Sequence, residues 1–430
     1  MEREELFRKI SIGNDKKMVL LVLDGLGGLP RDGRTELETA RTPNLDLLAA
    51  ESELGLSHPI APGVTPGSGP AHLSLFGYDP LKYEIGRGIL EALGVGIEVN
   101  ARSVAVRGNF ATLENGRISD RRAGRIPTEK NRELVALLNE RIRTIEDVQV
   151  RLYSGEEHRF VLVLTGDDLD DRLSDADPEA SGLPLKYAEA ADEAAARTAR
   201  IVNLFIDRLG VELAGQHPAN TCLLRGFAKY PAIPSMGGLF KLKAAAIAVY
   251  PMYKGLAQLV GMDVLATGRS IRDQVATLKQ RYADFDFFFL HVKKTDSWGE
   301  DGDFARKVEV IEEFDHWLPE ILELTPDVLA VTGDHSTPAL MKGHSWHPNP
   351  VLLKSPFQRR MPADARMVDA FACGAPAGAE GPACGRVSVS APAATFSETA
   401  CARGVLGHIR AMDVLPLMMA NALKFKKFGA

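Results

Sequence analysis

The chain has 430 residues, enough for two domains with sizeable cores. Apolar residues make up 45% of the chain and charged residues 25%, as in an ordinary soluble globular protein. The formal net charge of −6 gives no support to a nucleic-acid partner, and no apolar run approaches the ~20 residues of a membrane span. The charged amino-terminal segment lacks the apolar core of a signal peptide, and the four cysteines form no CxxC pair. We therefore expect a cytoplasmic protein with free thiols.

The first apolar run, Met18–Leu23, is typical of a strand buried on both faces of a parallel sheet. It ends at Asp24 and continues into a glycine-rich segment. The sequence GLGGLP does not match the dinucleotide-binding pattern GxGxxG, and Pro30 would interrupt the helix that such a site requires. We therefore set a dinucleotide site aside.

A loop between residues 61 and 72 contains three prolines and three glycines, so it is predicted to be irregular. Pro70 at a first helical position predicts a helix over residues 71–76, with Ser68 just before its N-terminus. Backbone N–H groups and the helix dipole would stabilise a phosphate on or near Ser68. A helix-capping serine is the alternative interpretation.

From about residue 94 the pattern changes to short strands and helices, among them strands over residues 95–99 and 103–113 and a helix over residues 128–138. The block 94–250 is therefore predicted to be a separate α/β domain, inserted into a core formed by residues 1–93 and 251–430. Its arginines form a solvated face, or four of them instead bind an anionic substrate, namely Arg121, Arg122, Arg125 and Arg225.

Another apolar run, over residues 285–292, is followed by Asp296 and, four residues later, by Glu300. Apolar residues from Phe304 to Leu318 then keep a helical period. The stretch 363–394 is rich in Ala, Gly and Pro without a period, and we interpret it as a surface loop.

The last strand, over residues 328–331, ends before Asp334 and His335, and His344 and His347 follow. A carboxylate and an imidazole after a buried strand are a common way to place metal ligands at a sheet edge. A turn with a capping aspartate and solvated histidines is the alternative.

Three predicted strands are thus followed by acidic residues, Asp24, Asp296 and Asp334. Because the carboxyl ends of parallel strands share one edge of a sheet, these groups are expected to converge. Mixed carboxylate and imidazole ligands suit manganese, zinc or magnesium, and two ions are the arrangement for in-line phosphoryl transfer. Ser68 is the candidate nucleophile.

Eight phrases between residue 18 and the C-terminus, all outside 363–394, carry a resemblance; they are VLDGLGG, TPGSGPAHLSLFGYDP, GNFAT, ISDRRAGRI, HVKKTDSWGEDGDF, VTGDHSTP, GHSWHP and KFKKFGA. They closely resemble the archaeal-type 2,3-bisphosphoglycerate-independent phosphoglycerate mutases of the alkaline phosphatase superfamily. The resemblance implies an α/β fold, with an alkaline-phosphatase-like, mostly parallel sheet flanked by helices and a smaller inserted α/β domain. It also implies interconversion of 3-phosphoglycerate and 2-phosphoglycerate in glycolysis and gluconeogenesis, through a phosphoserine intermediate.

The resemblance further implies a site with two divalent ions, with manganese or magnesium expected and zinc or cobalt as alternatives. Carried over by position, one ion is held by Asp24, Ser68, Asp334 and His335, and the other by Asp296, Glu300 and His344. The inserted domain would grip the small phosphorylated substrate through Asn109, Asp120, Arg121, Arg125 and Lys254. Of these, Arg121, Arg125 and Lys254 are also expected to act in catalysis.

One departure from the related pattern concerns Glu300, because the wider superfamily has DxxxH where this chain has DxxxE. A second carboxylate favours harder metals, and His347 is an alternative ligand. A metal-dependent phosphatase, or a homoserine-kinase-like phosphotransferase, on the same core is the alternative function. A catalytically silent binding protein is disfavoured because Ser68 is accompanied by the expected ligands.

Overall fold

The computed structural model describes residues 1–83, 85–94, 96–357 and 395–429. The chain divides into two compact units, the first formed by Met1–Gly77 with Thr267–Ala430 and the second by Tyr78–Ala266. Both boundaries of the predicted insertion, residues 94–250, fall inside the second unit. The segment 363–394, interpreted above as a surface loop, lies outside the described residues.

The α-helices, numbered along the chain, are α1 (Arg3–Ile10), α2 (Glu36–Thr39), α3 (Pro43–Ala50), α4 (Ser68–Leu75), α5 (Arg87–Gly94), α6 (Thr128–Arg141), α7 (Glu193–Glu212), α8 (Met236–Phe240), α9 (Pro251–Leu259), α10 (Ile271–Arg281), α11 (Lys294–Asp301), α12 (Phe304–Leu322), α13 (Glu398–Cys401) and α14 (Val414–Asn421). None of the helices in the described part of the chain combines the length and apolar character needed to cross a membrane.

The strands are β1 (Met18–Leu23), β2 (Glu53–His58), β3 (Ser103–Glu114), β4 (Arg117–Asp120), β5 (Thr144–Ile145), β6 (Val148–Ser154), β7 (Arg159–Thr165), β8 (Thr221–Lys229), β9 (Ala244–Ile247), β10 (Asp263–Val264), β11 (Phe287–Val292), β12 (Val328–Thr332), β13 (Asn349–Lys354) and β14 (Gly407–Arg410).

Six strands of the first unit lie side by side in the order β11, β1, β12, β13, β2, β14. Strand β1 runs parallel to both neighbours, with Leu23 beside Val292 of β11 and Val22 beside Thr332 of β12. Strand β13 is antiparallel to β12 and β2, and β14 is parallel to β2. The central strand β1 is fully buried, as its uninterrupted apolar sequence predicts. The carboxyl ends of β11, β1 and β12 therefore meet at one edge.

The second unit is built on an antiparallel sheet with the order β4, β3, β7, β6, β5. Strand β8 pairs with β3 along the edge opposite β7. Its main apolar core combines strand residues such as Phe110 and Phe160 with Phe205 of α7 and Leu138 of α6. The parallel pair β9 and β10 belongs to the same unit. The predicted α/β class, with a mostly parallel sheet in the core, is confirmed.

Several predicted boundaries are corrected by the structure. Helix α4 begins at Ser68 rather than after it, with Gly67 as the N-cap residue. Pro70 is tolerated at the third position because first-turn N–H groups have no acceptor within the helix. The predicted strand over residues 95–99 is wrong for residues 96–99, which have no regular structure; residue 95 is outside the described residues.

Candidate active site

Three acidic side chains lie at the shared edge of the first unit's sheet. Asp24 follows β1, Asp334 follows β12, and Asp296 lies in the first turn of α11 just beyond β11; all three are fully buried. The loops that carry them are tied together, because Gly25 N donates to Asp334 Oδ1 (3.0 Å) and Thr295 Oγ1 donates to the Asp24 carbonyl (2.5 Å). The predicted convergence of the strand ends is present in the structure.

A first group of potential metal ligands combines Asp24, Asp334 and His335, whose ligand atoms all lie within 4.8 Å of one another. His335 Nε2 is 3.1 Å from Asp334 Oδ2 and 3.5 Å from Asp24 Oδ1. Ser68 Oγ, at the first residue of α4, is 3.2 Å from the same nitrogen. The structure therefore brings the predicted nucleophile to this group of ligands.

The hydrogen bonds around Thr337 define the tautomer of His335. Thr337 Oγ1 lies 2.5 Å from Asp296 Oδ1 and donates its proton there, so it accepts a hydrogen bond from His335 Nδ1, 3.0 Å away. Burial lowers the pKa of His335, against the opposing charges of Asp334 and Asp24. The neutral imidazole then presents an unprotonated Nε2 towards the two carboxylates and Ser68, as a metal ligand must.

A second group combines Asp296, His335 and His344, again with ligand atoms within 4.8 Å of one another. His344 Nδ1 donates to the Pro66 carbonyl (2.9 Å), which leaves Nε2 as an acceptor 3.6 Å from Asp296 Oδ1. His335 therefore belongs to both groups, and its ring stacks on that of His344 with centroids 3.7 Å apart.

Glu300 is not part of either group among the described residues. It lies one helical turn after Asp296 on α11, with Oε1 3.7 Å from His344 Nε2, and its side chain is 53% exposed. His347, the alternative ligand, is also outside both groups, and its Nδ1 lies 3.1 Å from Ser345 Oγ.

The residues present fit divalent ions. Two buried carboxylate oxygens, Asp24 Oδ1 and Asp334 Oδ2, accept no hydrogen bond in the described part of the chain. Buried acceptors without donors are costly, and here they are gathered with the acceptor nitrogen of His335. Carboxylate oxygens and neutral imidazole nitrogens are the donor set of Mn²⁺, Zn²⁺ and related ions.

Two histidines and a lysine that the sequence interpretation did not include also contact the carboxylates. His291 Nε2 donates to Asp24 Oδ2 (3.1 Å), and His72 Nδ1 lies 3.2 Å from Asp334 Oδ2. Both histidines are buried; the hydrogen bond from His291 orients the Asp24 carboxylate, whereas His72 Nδ1 donates to the Ser68 carbonyl (2.9 Å). Each had a signal in the sequence: His72 lies one turn after Ser68 on α4, and His291 is the only polar residue of β11.

The lysine that contacts the carboxylates is Lys293, with Nζ 3.2 Å from Asp24 Oδ2 and 2.5 Å from Asp296 Oδ2. Burial would raise the pKa of Asp24, but the hydrogen bond from His291 and the charge of Lys293 hold that pKa well below its usual range. Asp24 is therefore ionised at neutral pH, as a metal ligand should be.

The second unit contains a cavity of about 300 Å³ that is rich in arginine. It is lined by Arg107, Asn109, Arg121, Arg122, Arg125, His158, Arg159, Asp175, Leu223, Arg225 and Gly226. Burial lowers the pKa of His158, and so does the positive charge of Arg159. This cavity has the size and charge to hold a small, multiply anionic molecule.

Three of the predicted substrate residues, Asn109, Arg121 and Arg125, line this cavity. Asn109 Oδ1 is buried and accepts no hydrogen bond among the described residues, whereas Arg121 makes two hydrogen bonds to Asp177, at 3.0 Å and 2.7 Å. The other two predicted residues are not among the lining residues.

Asp120 caps the following turn, because its carboxylate accepts from Arg122 N (2.8 Å) and Gly124 N (2.6 Å). Lys254 lies on α9 in the same unit. Arg107 and Arg159 are cavity residues that the sequence interpretation missed; each lies in or at the start of a β-strand, where nothing local marks it as a binding residue.

Residues 49–220 match the family model described as 2,3-bisphosphoglycerate-independent phosphoglycerate mutase. A probable 2,3-bisphosphoglycerate-independent phosphoglycerate mutase from Thermotoga neapolitana is 50% identical over 430 residues, covering 100% of both chains. A relative with the same name from Thermus thermophilus is 50% identical over 436 residues, again covering 100% of both chains.

The chain is also similar to solved structures. A cofactor-independent phosphoglycerate mutase from Thermoplasma acidophilum has a TM-score of 0.74 and 30% identity, covering 95% of this chain and 100% of that one. A protein from Pyrococcus horikoshii has a TM-score of 0.75 and 30% identity, covering 97% of this chain and 100% of that one. Both similarities extend over nearly the whole chain.

Proposed function

Because the chain belongs to the family of 2,3-bisphosphoglycerate-independent phosphoglycerate mutases, we propose that it is an isomerase that interconverts 3-phosphoglycerate and 2-phosphoglycerate. One observation carries this proposal: Ser68 Oγ lies 3.2 Å from His335 Nε2, at the point where Asp24 and Asp334 also converge. The reaction serves glycolysis and gluconeogenesis, and we place it in the cytoplasm.

We assign two divalent ions to the first unit, with manganese or magnesium preferred. The first would be held by Asp24, Ser68, Asp334 and His335, and the second by Asp296, Glu300 and His344. The proximity of His344 to both Asp296 and Glu300, at 3.6 Å and 3.7 Å, supports the second set. When bound, such ions stabilise charge on the phosphoryl oxygens and lower the pKa of a coordinated hydroxyl.

Ser68 would receive the phosphoryl group. The bond between phosphorus and Ser68 Oγ forms as the bond to the glycerate oxygen breaks, and the proton lost by the Ser68 hydroxyl is balanced by the one that the departing glycerate oxygen gains. The reverse transfer to the other hydroxyl, with the reverse proton exchange, gives the product. As the first residue of α4, Ser68 places the phosphoryl group at a helix N-terminus, where backbone dipoles favour negative charge. The ammonium of Lys293 adds positive charge beside Asp24 and Asp296.

We propose that the arginine-rich cavity binds the carboxylate and phosphate of the substrate, and that residues 94–250 form the substrate-gripping domain. Guanidinium groups bind both anions through paired hydrogen bonds. Asn109 offers a buried, unpaired oxygen to a substrate hydroxyl. Arg121 is already held by Asp177, so it presents a fixed positive charge. Arg125 is exposed and also lines the cavity.

The test is an enolase-coupled assay on metal-depleted protein, with 3-phosphoglycerate, added Mn²⁺ or Mg²⁺ and no 2,3-bisphosphoglycerate. A parallel assay measures inorganic phosphate release. We expect metal-dependent formation of 2-phosphoglycerate with little free phosphate. Phosphate release without 2-phosphoglycerate would instead identify a metal-dependent phosphatase, and the absence of both reactions would refute the proposal.

A further inference from the structure

A buried lysine lies behind the candidate metal sites and has no part in the chemistry described above. Lys307, in the first turn of α12, has no exposed side-chain surface. Its ammonium donates to three backbone carbonyls: Gly25 (2.9 Å), Gly27 (3.1 Å) and Thr337 (2.8 Å). All three donor positions of the ammonium are therefore used.

These carbonyls belong to the two loops that carry the first group of ligands. Gly25 directly follows Asp24, and Thr337 lies two residues after His335. The same loops also meet directly, because Thr337 N lies within hydrogen-bonding distance of the Gly25 and Gly27 carbonyls, at 3.3 Å and 3.1 Å. The ammonium thus joins three carbonyl dipoles from two loops, in the way that a small bound cation would.

A buried carboxylate lies close to the charged ammonium of Lys307. Glu36 is fully buried on α2, with Oε1 3.8 Å from Lys307 Nζ, and that oxygen accepts a hydrogen bond from Ala339 N (2.8 Å). Burial lowers the pKa of Lys307, while the nearby carboxylate of Glu36 favours its charged form. A neutral, apolar side chain of the same length would leave three buried carbonyls without this donor.

The packing around these loops leaves little room for adjustment. A side chain added at Gly25 would lie 2.5 Å from Thr337 Oγ1 and 2.9 Å from the Cβ atom of Asp296. At Gly27 it would lie 1.9 Å from Ser336 Oγ. The backbone at this edge is therefore in close contact throughout, so a shift of one loop would move the ligands on the other.

We propose that Lys307 is a positioning residue, a built-in cation that fixes the spacing of the Asp24 and Asp334–His335 loops and so preorganises the first metal site. This inference rests on the proposed metal sites. It predicts that loss of the ammonium weakens metal binding beyond any general loss of stability, since ligands that must be reordered on binding bind less tightly.

The test compares Lys307→Met with the parent and with Lys424→Met. Lys424 is also fully buried in the first unit, but its ammonium contacts the Asn14 carbonyl (2.9 Å) and Asp286 (3.2 Å), on neither ligand loop. Both variants lose one buried ammonium, so both report the general cost to the fold. Mn²⁺ affinity and stoichiometry are measured by calorimetry on metal-depleted protein, and stability is measured separately without metal.

We expect Lys307→Met to weaken Mn²⁺ binding by roughly tenfold or more, as for the loss of other groups that orient ligands. Lys424→Met should bind Mn²⁺ like the parent even if it is less stable. Equal affinities in Lys307→Met and the parent, or equal losses in the two variants, would overturn the inference. A parent that binds no Mn²⁺ would instead contradict the proposed function.

If Lys307→Met does not fold, Lys307→Gln replaces it in the same comparison. The glutamine amide can donate to at most two of the three carbonyls, so we expect a loss of Mn²⁺ affinity that is smaller than the roughly tenfold loss expected for Lys307→Met. Parent-like affinity in that variant would also overturn the inference.

Discussion

Glu398 offers a sharp test of the electrostatics behind the site. It is the first residue of α13 and is partly buried. Its Oε1 accepts from Gly28 N (3.0 Å) and its Oε2 accepts from the Thr35 hydroxyl (2.7 Å). Burial raises the pKa of Glu398 to about 7, although these hydrogen bonds and the charge of Lys307 act in the opposite direction. The perturbation we choose is Glu398→Gln, which removes the titration and keeps the shape.

The raised pKa fixes the direction and size of the effect. Between the ordinary value of 4.5 and about 7, the folded protein keeps a proton on Glu398 that the unfolded chain has lost. The stabilisation that protonated Glu398 gives the folded state is therefore present in full below pH 4.5, and it is lost as the pH rises through 7. At 1.36 kcal/mol per pKa unit, the loss amounts to about 3 kcal/mol.

The assay measures urea unfolding from pH 4 to pH 8 in the presence of a chelator, for the parent and Glu398→Gln. Tryptophan fluorescence reports on the first unit alone, because all three tryptophans, Trp298, Trp317 and Trp346, lie in it. The difference between the two free energies of unfolding should move by about 3 kcal/mol in favour of the variant as pH rises.

The variant also has a constant cost. Gly28 N and the Thr35 hydroxyl both donate to Glu398, and glutamine has only one accepting oxygen, so one of the two donors loses its acceptor in either orientation of the amide. This cost does not depend on pH and does not affect the comparison. Parallel stability curves for the parent and the variant would refute the reasoning, because they would show that Glu398 has the same pKa in the folded and unfolded chains.

The remaining predictions concern the proposed chemistry. Ser68→Ala should abolish mutase turnover and the phosphoserine while leaving the unfolding midpoint near that of the parent; substantial remaining activity would exclude the covalent route. Arg125→Ala should cost about 1.5–3 kcal/mol in kcat/KM, whereas the exposed Arg132→Ala on α6 should have no effect; equal kinetics in the two would remove Arg125 from the site. Glu300→Gln should weaken metal binding severalfold and change which metals activate, and the neighbouring exposed Asp301→Asn should not; identical metal titrations would show that Glu300 is not a ligand.

The convergence of Asp24, Asp296 and Asp334 could be predicted from the sequence because it depends on one rule. Buried apolar strands such as β1 and β12 form parallel sheets, and parallel strands end at a common edge. No knowledge of the loops is needed to bring residues at the strand ends together. The same rule says nothing about which way a side chain points, so it could not place Glu300, which is half exposed on α11.

The arginine-rich cavity could be predicted only in part, for a related reason. Arg121 and Arg125 stand in a conspicuous basic turn, so their sequence marks them as candidates. Arg107 lies inside β3 and Arg159 begins β7, and the two strands pair so that Arg107 lies beside Val161. These arginines converge because of the register between the antiparallel strands. That register is known only once the pairing of the strands is known, and the sequence alone does not give the pairing.

Lys307 carried a sequence signal that the predicted apolar stripe of α12 did not include. The predicted apolar stripe of α12 began at Phe304, but the buried face includes Lys307, Ile311, Phe314 and Leu318, and Phe304 is only partly buried. The spacing of the buried set, alternating four and three residues, places the lysine within the stripe. A lysine there must either extend to solvent or find buried acceptors. Two of its three acceptors, the Gly25 and Gly27 carbonyls, lie some 280 residues away in the sequence, so only the folded structure could distinguish the two outcomes.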